Sequence, residues 1–451
     1  MREPAEMEAC QAFSMGGMLR ALREKLLGQE RERIPAPLEP KGASWPDDAF
    51  LVLKESFLRG YATGAAAGTP DEKAFLIREI PLVWKGYFHA VSGYGQGTRD
   101  YVRELKRRQW HLFRDSLKGD HELDPCFFPG ISSLPPARSM KAAPFISLQH
   151  VPPLQLQRLE GAYSIGITTW ETSRLPPRWA EACNAVDELW VASSFNERAF
   201  KDSGVRVPIR VLPYGVDLAR FHPAVEPLRE LPELHIATKK LRDFFIFLSV
   251  GAFYPYKGFD ALMAAYIKEF SSSDGVVLII KVYPYFGHTI QGIGAFIRTL
   301  SKKFGRKKIP RILFLQETYV SEMPSLMALA DAYICSSRGE GFCLPLLEAM
   351  AMGKIVLSPA WGGQVDYLHE KNCYLVACRE VPVRPGSHLY HSSGTWAEPD
   401  IEHMGSQMRQ VLEHREEAME RASRACHEAR GAWSTAHAAD ILERYLLELC
   451  R

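Results

Sequence analysis

Two glutamates flank a short glycine-bearing loop in segment 331–354, DAYICSSRGEGFCLPLLEAMAMGK. An apolar strand-like run leads into a loop that holds Gly339 and Gly341, and a helical pattern opened by a proline follows. Such a unit exposes backbone N–H groups and the positive end of a helix dipole, which together suit a phosphate. Glu340 in the loop and Glu348 in the helix add strong acceptors for hydroxyl groups. The segment predicts a site for a diphosphate joined to a sugar, with an ordinary capped helix end as the alternative.

Strand-like runs alternate with helical patterns from about residue 75 onward, and the alternation restarts after a proline-rich stretch at 221–240. Such alternation is typical of βαβ units with a parallel sheet. The strand-like runs are 75–83, 144–150, 163–171, 188–194 and 209–217, then 244–252, 275–283, 309–316, 331–337, 354–358 and 372–377. The sequence therefore predicts an α/β protein with two Rossmann-like domains facing a cleft. Ligands bind at the carboxyl ends of the strands in such sheets, and at domain interfaces.

The composition is that of a folded globular chain without a polyanionic partner. The chain has 451 residues, of which 46% are hydrophobic and 24% charged. Its 55 basic and 53 acidic residues leave a net charge of +2, so any anion site must be local, and we predict no nucleic-acid partner. The nine scattered cysteines are interpreted as reduced thiols, and the acidic start lacks a secretory pattern. Both observations predict a cytoplasmic protein.

Five segments, in order along the chain, resemble the retaining glycosyltransferases of the GT-B fold, in particular family 4 (glycosyl transferases group 1). The segments are WETSRLPPRWAEACNAVDELWVASSFN, VLPYGVDLARFHP, SVGAFYPYKG, GEGFCLPLLEAMAMGK with its E-x7-E spacing, and SPAWGGQVDYL. The resemblance covers roughly residues 85–450. It implies the GT-B architecture and transfer of a sugar from a nucleotide-sugar donor to an acceptor that the sequence does not identify. The nucleotide sugar is then a substrate, and no cofactor is expected. We also expect no essential metal, because the sequence has no H-E-x-x-H pattern, no EF-hand and no supported pair of aspartates.

The resemblance assigns roles to residues of the second domain. Glu348 would hold the ribose hydroxyls of the donor, and Glu340 would contact the transferred sugar. Lys257 would neutralise the diphosphate, which gains negative charge as it departs in the transition state. Backbone N–H groups would come from a run in the loop: Gly341, Phe342, Cys343 and Leu344.

The sequence departs from the family pattern at Ala252, where many members carry an arginine after the strand glycine. Arg338, just before the glycine loop, is a candidate substitute, with a solvated loop arginine as the alternative. The missing arginine motivates a second hypothesis of a different class. In that hypothesis the chain is a catalytically inactive glycosyltransferase-like protein that binds a nucleotide or a partner.

Two polar residues end strands of the first domain. His150 resembles the family histidine near the donor sugar, and a hydrogen-bonded structural histidine is the alternative. Glu171 is predicted to line the acceptor side of the cleft, with a structural hydrogen bond weighed equally.

A glycine-rich stretch precedes a helical pattern in SGYGQGTRDYVREL, residues 92–105. Thr98 stands where the third glycine of a G-x-G-x-x-G fingerprint would be, so a dinucleotide site is disfavoured. In the family comparison this stretch is the first loop of the domain, close to the diphosphate and the acceptor. We predict a loop carrying Gly93, Gly95 and Gly97, followed by a helix that Thr98 opens.

The predicted organisation has four parts. They are an extension at 1–74, an acceptor domain at 75–225, a nucleotide-sugar donor domain at 226–432, and a helix at 433–451 that packs back on the first domain. A basic run, KKFGRKKIPR at 302–311, favours a solvated face, and peripheral contact with a cytosolic membrane surface is the alternative.

Overall fold

The structure is a computed structural model. It describes residues 77–449 except 118–119, 121–129, 132, 141–144, 232–233, 235, 242, 284–289, 317–319 and 384–393. The predicted extension at 1–74 lies outside the described residues.

The first domain is built on a parallel six-stranded sheet of order β2-β1-β3-β4-β5-β6. Its strands are β1 (Leu82–Gly86), β2 (Leu112–Ser116), β3 (Phe145–His150), β4 (Ala162–Thr168), β5 (Glu188–Val191) and β6 (Ile209–Val211). Its helices are α1 (Gly93–Arg107), α2 (Pro177–Cys183) and α3 (Ser194–Asp202). The strand predicted over 75–83 begins only at Leu82. Residues 77–78 are helical and are followed by a turn, and the proline at 81 separates that turn from the strand.

The second domain repeats this architecture with a parallel sheet of order β11-β10-β9-β12-β13-β14. A small antiparallel pair precedes it, β7 (Glu230–Leu231) with β8 (Ile236–Ala237). The strands of the sheet are β9 (Phe245–Ala252), β10 (Val276–Tyr283), β11 (Arg311–Leu315), β12 (Ala332–Ile334), β13 (Ile355–Pro359) and β14 (Tyr374–Val376). Their apolar runs are the signature of strands covered on both faces by helices. Two parallel-sheet α/β domains are thus confirmed.

Helices and one hairpin complete the second domain. The helices are α4 (Phe259–Glu269), α5 (Ile290–Lys303), α6 (Met323–Leu329), α7 (Leu344–Ala351), α8 (Ile401–Glu413) and α9 (Arg415–Ala432). The antiparallel hairpin is β15 (Cys378–Pro382) with β16 (Thr395–Pro399), and the sequence reading did not anticipate it. None of the helices in the described ranges is both long enough and apolar enough to span a bilayer.

Each sheet has one point at which its strand order reverses. In the first sheet β1 and β3 are neighbours, so the chain turns to opposite sides after Gly86 and after His150. In the second sheet β9 and β12 are neighbours, so the crevice lies beyond Ala252 and the loop after β12. Ligands of doubly wound sheets bind outside the carboxyl ends of strands at such points. The fold therefore brings the two reversal points to the cleft between the domains.

The last helix, α10 (Thr435–Glu448), returns to the first domain. Its N-cap is Ser434, whose side chain accepts a hydrogen bond from the backbone N–H of His437. Glu443 of this helix pairs with Arg78 and Arg108 of the first domain at 2.9 and 2.8 Å. Where the chain re-enters, Val216 exchanges two backbone hydrogen bonds with residues 433 and 435. The residue boundaries proposed for the four parts stay predictions.

Candidate functional site

Lys257 and Glu340 meet at the reversal point of the second sheet. After β9 a short turn carries Lys257 to Gly258, whose φ of +66° lies in the region that favours glycine. A Cβ on Gly258 would lie 1.9 Å from the carbonyl oxygen of Ser336, so the turn packs directly on the loop after β12. The Lys257 Nζ lies 2.6 Å from the Glu340 Oε1. Two predicted catalytic residues 83 positions apart are thus brought into contact.

The Glu340 carboxylate keeps the Lys257 side chain charged. The Ser337 hydroxyl also donates to Glu340 Oε1, at 2.5 Å. Burial alone would lower the pKa of Lys257, but the facing Glu340 carboxylate raises it well above its ordinary value. The site therefore holds a permanent cation beside the glycine loop, as stabilisation of a departing diphosphate requires.

The loop from Gly341 to Leu344 leads into the N-terminus of α7. The Tyr367 hydroxyl lies 2.7 Å from the carbonyl oxygen of Phe342 and 2.9 Å from that of Cys343, which fixes the loop from below. The first-turn N–H groups of a helix have no intrahelical acceptor, and α7 starts at Leu344. Its dipole therefore presents partial positive charge on the side from which Lys257 approaches.

Glu348, on α7, reaches across the cleft to the first domain. Only 4% of its surface is exposed, and the Gln96 Nε2 donates a hydrogen bond of 2.6 Å to its Oε1. Burial raises the pKa of Glu348 to about 7, while the hydrogen bond from Gln96 opposes that rise. Sequence reasoning missed Gln96. Gln96 stands between Gly95 and Gly97, and this position in the predicted loop was the signal that could have identified it.

The predicted glycine loop is wrong: Gly93, Gly95 and Gly97 belong to helix α1. Ser92 rather than Thr98 caps this helix, accepting a hydrogen bond from the Gly95 backbone. At two of these glycines close packing leaves no room for a side chain. A Cβ on Gly95 would lie 2.1 Å from the carbonyl oxygen of residue 90, and one on Gly97 would lie 2.6 Å from the ring of Tyr214. The helix N-terminus therefore sits at the reversal point of the first sheet, where a loop was expected.

His150 is buried at the end of β3 with both ring nitrogens engaged. Its Nδ1 lies 2.9 Å from the Thr98 hydroxyl and its Nε2 lies 2.8 Å from the Tyr214 hydroxyl. Burial lowers the pKa of His150 to about 3, so the imidazole is neutral at physiological pH. The Tyr214 ring in turn meets the Phe342 ring edge-on at 5.5 Å between centroids. His150 is thus linked through Tyr214 to the glycine loop, and sequence reasoning missed this tyrosine.

Arg338 is committed to structural partners. Its guanidinium is 1% exposed and makes paired hydrogen bonds with Asp260 at 2.8 Å and with Glu398 at 2.7 and 2.8 Å. These contacts tie the loop after β12 to α4 and to the hairpin strand β16. They favour a structural role over the predicted contact with the diphosphate.

The two domains touch around the glycine loop. A Cβ on Gly339 would lie 1.9 Å from the carbonyl oxygen of Glu171, which places Glu171 on the wall that faces this loop. A Cβ on Gly341 would lie 1.7 Å from the Thr169 hydroxyl. The Ser193 hydroxyl donates to the carbonyl oxygen of Gly341 at 2.7 Å. The absence of side chains at the two glycines therefore lets the domains close on one another.

Comparison with known proteins finds a family model and a curated relative that each match part of the chain. Residues 232–382 match the family model described as Glycosyl transferases group 1. A curated relative from Escherichia coli, UDP-Gal:alpha-D-GlcNAc-diphosphoundecaprenol alpha-1,3-galactosyltransferase, is 28% identical over 176 residues. That alignment covers 38% of this chain and 42% of the relative, less than half of either.

Solved structures share the fold over most of the chain. Anabaena HepE in complex with UDP-glucose matches with a TM-score of 0.59 at 13% identity, covering 82% of this chain and 100% of that one. The sucrose-phosphate synthase of Thermosynechococcus elongatus matches with a TM-score of 0.59 at 14% identity, covering 82% and 99%. The chain therefore has the two-domain GT-B fold and carries a glycosyl transferases group 1 domain.

Proposed function

We propose that this protein is a retaining glycosyltransferase of family 4 that transfers a sugar from a nucleotide-sugar donor. One observation carries the proposal. Lys257 and Glu340 meet at 2.6 Å at the reversal point of the second sheet, beside the N-terminus of α7, and Glu348 lies on the same helix. A cation, a helix dipole and two carboxylates are thus grouped as a sugar diphosphate requires.

Each group has a step to perform in this proposal. The diphosphate lies against Lys257 and the first turn of α7, and the ribose hydroxyls donate to Glu348. Glu340 turns from Lys257 to the hydroxyls of the sugar. No side chain serves as nucleophile. The departing phosphate accepts the proton of the acceptor hydroxyl on the same face of the sugar, so the configuration is retained. Lys257 stabilises the charge that develops on this phosphate without a metal ion.

The first domain supplies the acceptor side. Glu171 and the N-terminus of α1 lie on the wall that faces the glycine loop, and His150 lies behind Tyr214. Closure of the domains on the substrates excludes water, which limits hydrolysis of the donor. The E. coli relative is named for UDP-Gal and the HepE structure is a complex with UDP-glucose, so UDP-sugars are the first donors to test.

The second candidate function is binding of a nucleotide or a partner without catalysis. It is motivated by Ala252, which offers no cation at the position where the family pattern has arginine. Arg338 does not replace it, since its guanidinium is held by Asp260 and Glu398. An inactive protein would bind a nucleotide without consuming any nucleotide sugar. Measuring binding and consumption in parallel separates the two candidates.

The test compares Lys257→Ala and Glu348→Ala with Lys268→Ala and Glu402→Ala. Lys268 and Glu402 form an exposed ion pair in the same domain, so their variants are matched controls. We measure UDP binding by thermal shift and UDP release from UDP-sugars. A single removed transition-state contact costs about 100-fold or more in turnover, and we expect that loss in both site variants only. Wild-type turnover in both folded site variants would overturn the proposal.

A further inference from the structure

Two cysteines and a carboxylate converge beside the proposed donor site. The sulfur atoms of Cys335 and Cys343 are 3.7 Å apart, and the ligand atoms of these two residues and Glu340 all lie within 4.8 Å of one another. All three residues are buried, with exposures of 3%, 8% and 7%. Across the described part of the chain, no other group of three histidine, cysteine or acidic side chains is arranged in this way.

The spacing fits the coordination sphere of one zinc ion. Two thiolates bound at about 2.3 Å in tetrahedral geometry are about 3.8 Å apart, close to the observed separation of the Cys335 and Cys343 sulfurs. Thiolate ligands select soft or borderline metals such as zinc, whereas magnesium and calcium take oxygen ligands. Three protein ligands with an open fourth position are a common arrangement around zinc.

The local charge also fits a divalent ion. Zinc displaces the thiol protons, including the one that Cys343 shares with Cys335, and these protons pass to solvent. The two thiolates and the Glu340 carboxylate then carry three negative charges, which zinc and the neighbouring Lys257 ammonium together neutralise. A buried cluster is tolerated only when its charges are compensated in this way. Lys257 is already held 2.6 Å from Glu340, so the compensating cation is in place before any metal arrives.

The backbone at Cys343 sets the position of its sulfur. Cys343 has φ +69°, a left-handed conformation that glycine adopts freely and that costs other residues about 1–2 kcal/mol. It immediately precedes the first residue of α7, and its sulfur faces that of Cys335 at 3.7 Å.

We propose that Cys335, Glu340 and Cys343 form a zinc-binding site. Zinc bound here occupies the Glu340 carboxylate, which the hydroxyls of the transferred sugar would otherwise contact. The site is therefore inhibitory toward the donor, and transfer itself does not need the metal. The inhibitory consequence rests on the proposed function, whereas zinc binding does not.

The test uses the full-length reduced protein and zinc buffered at defined free concentrations. Bound zinc is measured by elemental analysis, and cobalt replaces zinc as a spectroscopic probe of thiolate ligation. Cys343→Gly removes one ligand and relieves the left-handed backbone, so this variant should fold. Cys183→Ala removes an equally buried cysteine of the first domain and is the control. Cys335→Ser is a second ligand variant.

We expect one zinc ion per wild-type and Cys183→Ala chain, together with a thiolate-to-cobalt absorption band. Loss of an outer partner of a metal ligand weakens binding about 10–100-fold, so loss of a ligand in Cys343→Gly should weaken it by at least that factor. Equal zinc content in Cys343→Gly and wild type, or no zinc on the wild type, overturns the site. If zinc binds as expected but leaves UDP-sugar turnover unchanged, the inhibitory consequence fails and the site stands.

Discussion

Replacing Gly339 by alanine should block closure of the domains without unfolding either one. Gly339 lies in the glycine loop of the second domain, and its added Cβ would lie 1.9 Å from the carbonyl oxygen of Glu171 in the first domain. A backbone carbonyl cannot rotate away as a flexible side chain can. The clash therefore has to be relieved by separating the domains.

The size of the effect follows from the distance. Contacts of a Cβ below 3.0 Å are essentially not seen, so the two segments must part by about 1.1 Å at this point. A misplacement of about 1 Å between catalytic groups and substrate costs about 100-fold in rate, or about 2.7 kcal/mol of transition-state stabilisation. We expect kcat/KM for UDP-sugar consumption to fall by at least this factor in Gly339→Ala.

The control is Gly431→Ala in helix α9, where an added Cβ meets nothing within 4 Å. This change should leave turnover intact and raise the free energy of unfolding by up to about 1 kcal/mol, because alanine is the better helix former. Melting temperature and small-angle scattering report on folding and on domain separation. A Gly339→Ala protein as compact and as active as the wild type would refute the reasoning.

Three further predictions concern buried polar groups. Arg338→Met should lower the free energy of unfolding by about 1–3 kcal/mol in denaturant titrations, because Asp260 and Glu398 lose a charged hydrogen-bond partner but stay partly hydrated at 43% and 24% exposure. An unchanged free energy of unfolding would contradict the structural role. The pKa of Glu348 is raised to about 7, so the folded state binds this proton more tightly than the unfolded state does. The protonated carboxyl therefore contributes its full stabilisation below about pH 4.5, and the contribution declines as pH rises toward 7. Glu348→Gln should flatten this part of the stability profile. Gln96→Ala should raise the pKa of Glu348 further and move the decline to higher pH, and an unchanged profile would show that Gln96 does not stabilise the charged form.

Most of the fold was predictable because its signals are local. Apolar runs such as 244–252 and 275–283 read as buried strands, and they form β9 and β10 over nearly the predicted bounds. The order of the strands along the chain does not reveal which strands are neighbours in the sheet. The contact between Lys257 and Glu340 depends on β9 lying beside β12, which is a property of the whole sheet.

The errors arose where tertiary contacts override local preference. Glycine is a poor helix former, so Gly93, Gly95 and Gly97 indicated a loop. The helix includes them because Ser92 caps it. A Cβ would find no room at Gly95, beside the carbonyl oxygen of residue 90, or at Gly97, beside the Tyr214 ring, whereas Gly93 has open space around it. Arg338 was likewise interpreted as a cation of the loop. Its two acidic partners, Asp260 and Glu398, lie 78 and 60 positions away in the sequence, and no local pattern indicated them.

The backbone pairing at Val216 constrains how the cleft can open. The chain crosses between the domains near residue 216 and again near Ser434, and the two crossings are hydrogen-bonded to one another at 2.8 and 3.0 Å. They pack so closely that a Cβ on Gly215 would lie 2.3 Å from the carbonyl oxygen of Ser434. Two adjacent, bonded crossings act as one hinge. The domains can rotate about this point, but they cannot slide apart without breaking the hydrogen bonds between the two crossings.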